Sequence, residues 1–307
     1  MATHNWQAAF DNWIEQGTSK STRRGYARDV AYFSNWLDTH HNEHLTYPVS
    51  VERVLQFCLY HIDAQSPSPL KLTTVRRYLA SLSVSHAEHG VTSPTQHPKV
   101  KMLLRRAKAA KNETPTKKAA ITLDILEQLI ATCDDSVIGL RDKAILLVGF
   151  ASGGRRRSEL VNLNMDDLNV VEDGYLITIH KSKTDKQLRG HTVPLKGQAA
   201  VALKAWVVRS GIRDGAVFRG VKPDKTFFDS ITGDSINKMV KARIKKIGLN
   251  EAEFGAHSLR AGFLTEATRQ GINLTEAMHL SGHKSIEVAQ GYCRTSGTFD
   301  NKASHLT

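Results

Sequence analysis

The sequence predicts a mainly α protein: a helical first domain, a short basic linker, and an α+β second domain with a small antiparallel sheet. Three observations carry this. Apolar residues recur at helical spacing through most of residues 6–108. A Lys-, Thr- and Ala-rich stretch, Ala109 to Ala120, contains Pro115 and no apolar period, as a linker does. Beyond it the period changes to two over Gly174–His180, where Tyr175, Ile177 and Ile179 alternate with polar or smaller residues. After the polar run Lys181–Gly190 a second strand is expected at His191–Leu195. The domains are therefore expected at 1–110 and 121–307, with 111–120 between them.

Each element has its reason. Trp6, Phe10 and Trp13 stand at i, i+4 and i+7 and predict a first helix with those rings in the core. Thr18 or Ser19 can cap a second helix, in which Tyr26, Val30, Phe33 and Leu37 form the apolar stripe. Pro48 is expected to open a third helix through Val51, Leu55 and Leu59. The turn Ser66–Pro69 ends that pattern. A fourth helix buries Val75, Leu79 and Leu82, and a fifth, from about Pro98, buries Val100, Leu103 and Leu104. In the second domain, Thr122 with Leu123, Leu126 and Leu129 begins a helix. Leu140–Phe150 is a strongly apolar helix and so belongs to the core. Gly153-Gly154 ends it, and a short polar helix is expected over Arg155–Leu163. The Asp166-Asp167 pair is read as capping or flanking the loop before the strands. Helices are expected next at Gln198–Arg209, Ser235–Ile247, His257–Gln270, Asn273–Leu280 and Ser285–Tyr292.

Composition narrows the function. The 307 residues carry a net charge of +12, with mean hydropathy −0.34. A charge this positive points to a polyanion, nucleic acid above all. The basic residues cluster on the helices of the first domain: Lys20, Arg23, Arg24 and Arg28 on the second, Arg76 and Arg77 on the fourth, Lys99, Lys101, Arg105, Arg106 and Lys108 on the fifth. Of these, Arg23, Arg24, Arg28, Arg76, Arg77, Lys101, Arg105 and Arg106 are the candidate DNA contacts. No apolar run is long enough for a membrane span and no leader is read at the N-terminus, so a cytoplasmic, nucleoid-associated protein is expected. Cys58, Cys133 and Cys293 are few and widely spaced, as reduced thiols are. The 14 histidines do not fall at metal-ligand spacings, and neither a P-loop nor an acidic cluster is present, so no metal and no cofactor are expected.

Four short motifs stand in order: Arg156-Arg157-Ser158-Glu159-Leu160; Ser182-Lys183-Thr184; His257-Ser258-Leu259-Arg260; and Leu280-Ser281-Gly282-His283 with Tyr292 nine residues on. Each alone is weak, since a basic run, a surface lysine or a helix-start histidine is commonplace. Together and in this order, the chain resembles the tyrosine recombinases (lambda-integrase, Cre and Xer type) from about Ile121 to Tyr292. In the first domain the likeness is only one of size, helicity and charge.

The resemblance implies a chemistry that these residue types suit. Attack on a DNA phosphodiester builds negative charge on the non-bridging oxygens, and forked guanidinium donors match them. Arg156 and Arg260 take that role. Tyr292 is the nucleophile, His257 its base and later acid, Lys183 the proton donor to the departing 5′-oxygen, and His283 a phosphate ligand; Glu159 supports the Arg and His side chains from behind. The product is a 3′-phosphotyrosine, which conserves the bond energy. The resemblance further implies a C-shaped clamp around double-stranded DNA and strand exchange through a Holliday junction. It implies a homotetramer on two recombination sites, from subunits monomeric or weakly associated when free, and the tail Thr298–Thr307 could dock on a neighbour. The alternatives are a type IB topoisomerase, which shares this constellation, and a catalytically inactive DNA-binding protein. The chain departs from the family pattern at Gly153-Gly154 and at Arg155, which stands where an apolar residue is usual.

Overall fold

The computed structural model describes residues 6–111, 118–180 and 190–293. The chain divides into the units Met1–Pro115 and Thr116–Thr307.

Helices α1 (Trp6–Gly17) and α2 (Lys20–His41) open the first unit. Ser19 is the N-cap of α2, its hydroxyl accepting from the Thr22 N–H at 3.2 Å. Helix α3 (Val51–Ile62) starts three residues later than expected. Ser50, not Pro48, caps it, because the Ser50 hydroxyl can accept from the Arg53 N–H, at 3.2 Å. Helices α4 (Leu72–Glu88) and α5 (Pro98–Lys111) complete the unit. Phe33, Trp36 and Leu37 of α2 pack with Phe57 of α3, Val75 and Leu82 of α4, and Val100 of α5. Each such side chain contributes about 1.5–3 kcal/mol by leaving water. The expectation for the first helix fails at Trp13, which is 72% exposed.

One buried charge has no signal in the sequence. Asp29 is 2% exposed, and its carboxylate accepts from Arg77 Nη1 at 2.7 Å and from the Ser81 hydroxyl at 2.9 Å. This clasp ties α2 to α4.

In the second unit, α6 (Leu123–Ala131) leads to α7 (Val137–Ala151), whose residues Ala144–Val148 are buried on every side. The short α8 (Arg157–Val161) comes next. Strands β1 (Leu168–Val171), β2 (Gly174–Ile179) and β3 (His191–Lys196) form an antiparallel sheet in that order. Register pairs Ile177 with Val193 and Tyr175 with Leu195, so the buried face of β3 is Val193 and Leu195. Strand β1 is absent from the sequence expectation. It is four residues long, shows no burial alternation and is held by its pairing with β2, so nothing in its sequence pattern announces it.

Helices α9 (Gly197–Ser210), α10 (Gly233–Lys246), α11 (Ser258–Arg269), α12 (Leu274–Ser281) and α13 (Ile286–Cys293) finish the unit. Leu146, Leu160, Val193, Leu203, Trp206, Val240 and Leu259 meet in one core around α7. Within it Asp142 is held by Arg243 at 2.6 Å and Arg141 at 2.7 Å. A second small cluster, Leu264, Ala267, Ala277 and Ala289, packs α11, α12 and α13 together. The mainly helical class with a small antiparallel sheet is as the sequence predicts. No helix among the described residues is long and apolar enough to cross a membrane.

Candidate active site

The motif residues converge in the second unit because α7 ends in a tight turn. Ser152 caps α7, and Gly153 and Gly154 take φ of +102° and +70°, where a side chain would be strained. Space forbids a side chain as well. A Cβ on Gly154 would stand 2.5 Å from Arg260 Cα. The turn before α8 thereby lies directly against Arg260 at the start of α11.

Arg156 is the N-cap residue of α8. Glu159, one turn on, is buried at 3% and accepts twice from Arg156: from Nη1 at 2.6 Å on one oxygen and from the backbone N–H at 3.1 Å on the other. The Arg-x-x-Glu spacing is therefore a local clamp that fixes both the helix start and the guanidinium. The Arg156 side chain keeps 23% exposure, so it can meet a ligand.

Arg260, in the first turn of α11, is 1% exposed. Its Nη1 donates to Ser281 O at 2.6 Å and Gly154 O at 3.1 Å. Its Nε lies 3.1 Å from His283 Nε2, and Nη2 lies 3.0 Å from His283 Nδ1. An arginine only donates, so an imidazole nitrogen that bonds it must carry no proton, and a neutral ring has one such nitrogen. The Ser281 hydroxyl is 2.7 Å from Nδ1 and 3.3 Å from Met278 O. In one tautomer Nδ1–H donates to Ser281 Oγ and Nε2 accepts from Arg260 Nε; in the other Nδ1 is the acceptor, facing Arg260 Nη2 and the Ser281 hydroxyl. Burial first, then Arg260 and Arg156, push the His283 pKa down to about 3.

His257 precedes α11 as its N-cap residue, with an exposed side chain. Partial desolvation, then Arg260 and Arg156, hold its pKa below the usual histidine value. Arg156 thus acts electrostatically on both histidines. Arg155, Arg156, Glu159, His191, His279, Ser281 and His283 border one cleft of about 280 Å³. Arg156, Glu159, His257, Arg260 and His283 are brought together, and Tyr292 lies in the last turn of α13. Lys183 lies outside the described residues. The strands that flank it end at Ile179 and begin at His191, which pair across the sheet.

The phage integrase family's sequence profile matches residues 120–297. The chain belongs to the phage integrase family. It is 29% identical over 301 residues to the integrase/recombinase xerD homolog of Selenomonas ruminantium, covering 94% of this chain and 86% of that protein. It is 29% identical over 292 residues to the tyrosine recombinase XerD of Listeria innocua, covering 91% and 89%. In fold it is similar to the Tn1549 transposon integrase in complex with transposon right end DNA, with a TM-score of 0.66, 15% identity and coverage of 98% and 97%. The expectation of a site-specific recombinase that breaks and rejoins DNA holds, and the topoisomerase and binding-only alternatives are not favoured.

For a member of this family, several residues at the site give no signal in the sequence. Ser281 orients His283 and sits inside the motif, yet a serine beside a glycine reads as a cap. His191 on β3 stacks edge-on against His279 of α12 at 5.2 Å, joining the hairpin base to the helix before His283. Asp167 caps the turn before β1, its carboxylate accepting from the Asn164 N–H at 2.9 Å, and its other oxygen lies 2.9 Å from His180 at the end of β2, a contact across to the hairpin that the sequence does not announce.

The candidate DNA contacts of the first unit differ in availability. Arg77 is paired to Asp29, Arg23 to Glu15, and Arg76 donates to Leu104 O at 3.2 Å. Arg28 is 3.8 Å from Asp29 with its side chain 73% exposed. Arg24, Lys101, Arg105 and Arg106 are exposed, without an intrachain ion pair among the described residues.

Proposed function

We propose that the chain cuts and rejoins duplex DNA at defined sites through a covalent link between Tyr292 and the 3′-phosphate. The Tyr292 oxygen attacks phosphorus, the bond to the 5′-oxygen breaks, and the 5′-hydroxyl leaves protonated. Rejoining is the reverse attack by a 5′-hydroxyl. The observation that carries this is the concentration of Arg156, Arg260, His257 and His283 in one region of the second unit, with Tyr292 on α13, a helix packed against the α11 that bears Arg260.

In this reading Arg156 and Arg260 take the charge that develops on the non-bridging oxygens. Donors of this kind each contribute about 3 kcal/mol to the transition state. His257 stays neutral at neutral pH, because its pKa is lowered, and accepts the Tyr292 proton. Lys183 gives a proton to the 5′-oxygen. Glu159 fixes Arg156, and His283 turns from Arg260 towards the phosphate as DNA enters. The 1–110 domain grips DNA through exposed cations such as Arg24, Lys101, Arg105 and Arg106, the residues 111–120 link it to the catalytic domain 121–307, and affinity falls with salt. Four subunits assemble on two sites, within nucleoid DNA, for strand exchange through a Holliday junction.

The test uses duplexes from the DNA flanking the gene, nicked near the cleavage position so that the cut strand diffuses away, in EDTA. The expected result is a protein–DNA band that resists denaturation and is lost in Tyr292→Phe. A band that persists in Tyr292→Phe would overturn the assignment of the nucleophile.

A further inference from the structure

We propose that Arg155 is a positioning residue that holds the His283-bearing turn in register with the Arg156–Glu159 clamp, and that Gly153 makes room for it. The consequence in catalysis rests on the recombinase reading, but the geometry stands by itself.

Arg155 is 3% exposed, beneath the cleft that Arg156 faces. Its Nη2 donates to Leu280 O, and its Nη1 is 3.7 Å from Glu159 Oε2. Arg260 Nη1 meanwhile donates to Ser281 O. Two guanidinium groups, one from the turn after α7 and one from α11, thus grip successive carbonyls at the C-terminus of α12. Helix C-termini leave carbonyls without intrahelical partners and favour cations. Gly282 and His283 come immediately after those two carbonyls in the chain. The grip therefore sets where the imidazole stands.

The neighbouring glycine belongs to the same device. A Cβ on Gly153 would stand 2.5 Å from Leu280 O and 2.7 Å from Arg155 Nη2. Any larger residue would push apart the two groups that bond. Arg155 Nε is buried without a hydrogen-bond partner among the described residues, and burial pulls the guanidinium pKa down. An apolar side chain here would avoid that cost but could not bond Leu280 O. The arginine also leaves Arg155 and Arg156 sharing one carboxylate, Glu159, so the base of the cleft keeps an excess of positive charge.

The experiment has two arms, with Arg155→Met and Arg155→Lys. In the free protein, amide hydrogen exchange is read at Gly282 and His283 and, as control, at Leu203 in α9. Arg155→Met is expected to speed exchange at the first two about tenfold or more and leave Leu203 unchanged, with Arg155→Lys between it and wild type. Exchange unchanged at Gly282 and His283, or raised equally at Leu203, overturns the proposal. Should Arg155→Met not fold, Arg155→Lys decides by the same criterion. In the second arm, on a nicked duplex that the wild type cleaves, Arg155→Met is expected to form the covalent adduct about 10- to 100-fold more slowly, with DNA affinity within about twofold. An adduct rate equal to wild type overturns the catalytic consequence. Absence of a wild-type adduct counts against the recombinase reading, and the exchange arm still decides the positioning role.

Discussion

Arg260 Nε lies 3.1 Å from His283 Nε2, while Ser281 Oγ lies 2.7 Å from Nδ1 of the same ring. Burial, then Arg260 and Arg156, keep this ring neutral. A phosphate oxygen entering the cleft brings an anion beside the ring, so it raises the His283 pKa from its free value of about 3. Between the free and bound values, binding takes up a proton and tightens as pH falls. Calorimetric titration with duplex DNA at about pH 5.5, in buffers of different ionisation enthalpy, is expected to show net uptake that is lost in His283→Gln. Equal heats in all buffers would count against this arrangement.

The same shifts set an acid limit on the free protein. Both His257 and His283 have folded-state pKa values below 6.5, so the unfolded chain binds more protons in that range. Their contribution to stability is complete above about pH 6.5 and is lost as pH falls through the window towards the folded values. Chemical denaturation of wild type and His283→Gln across pH 4–7 checks this, with the variant expected to have the flatter dependence.

Ser281→Ala removes the hydroxyl that hydrogen-bonds His283 Nδ1 at 2.7 Å. Loss of one hydrogen bond of this kind costs about 1 kcal/mol, roughly fivefold in rate. Single-turnover adduct formation should slow by that factor with DNA affinity unchanged. An unaltered rate would mean that Arg260 alone orients the ring.

His257 as the base predicts an acid limb in the adduct rate with its midpoint below 6.5. The rate should fall as pH drops through it, because the protonated ring cannot accept from Tyr292. His257→Gln should abolish the limb as well as slow the reaction. A limb that survives the substitution would move the role elsewhere.

Basic residues of the first unit should separate into two classes. Arg77→Gln leaves buried Asp29 with Ser81 as its remaining close donor and should cost about 1–3 kcal/mol in urea unfolding. Arg105→Gln and Arg106→Gln should leave stability within about 0.5 kcal/mol and reduce the salt dependence of DNA binding by about one counterion each. Reversal of this pattern would place the DNA-facing surface elsewhere.

Local chemistry makes most elements legible in advance. Helices such as α7 and α9 carry their own apolar pattern, and Ser19 and Asn273 supply caps that bond within three residues. The motif arginine, glutamate and histidines are legible because the resemblance fixes their order and because Arg156 and Glu159 contact each other within one helical turn. Strand β1 is hidden, since an edge strand held by a neighbour's backbone needs no side-chain period. Trp13 misleads because periodicity reports that one face is apolar, not that anything covers it.

The sequence by itself determined the helical class, the hairpin, the order of the four motifs and the positive charge. Those depend on neighbours within a few residues or on bulk composition. Only the tertiary structure decided which charges are buried and what holds them. Asp29 meets Arg77 and Ser81 across two helices, Arg155 reaches the carbonyl of Leu280, and Arg260 joins Gly154 to Ser281 and His283. Such pairings form between residues tens to more than a hundred positions apart, where separation along the chain says nothing about distance in space. They are fixed by the requirement that a polar group removed from water find a partner.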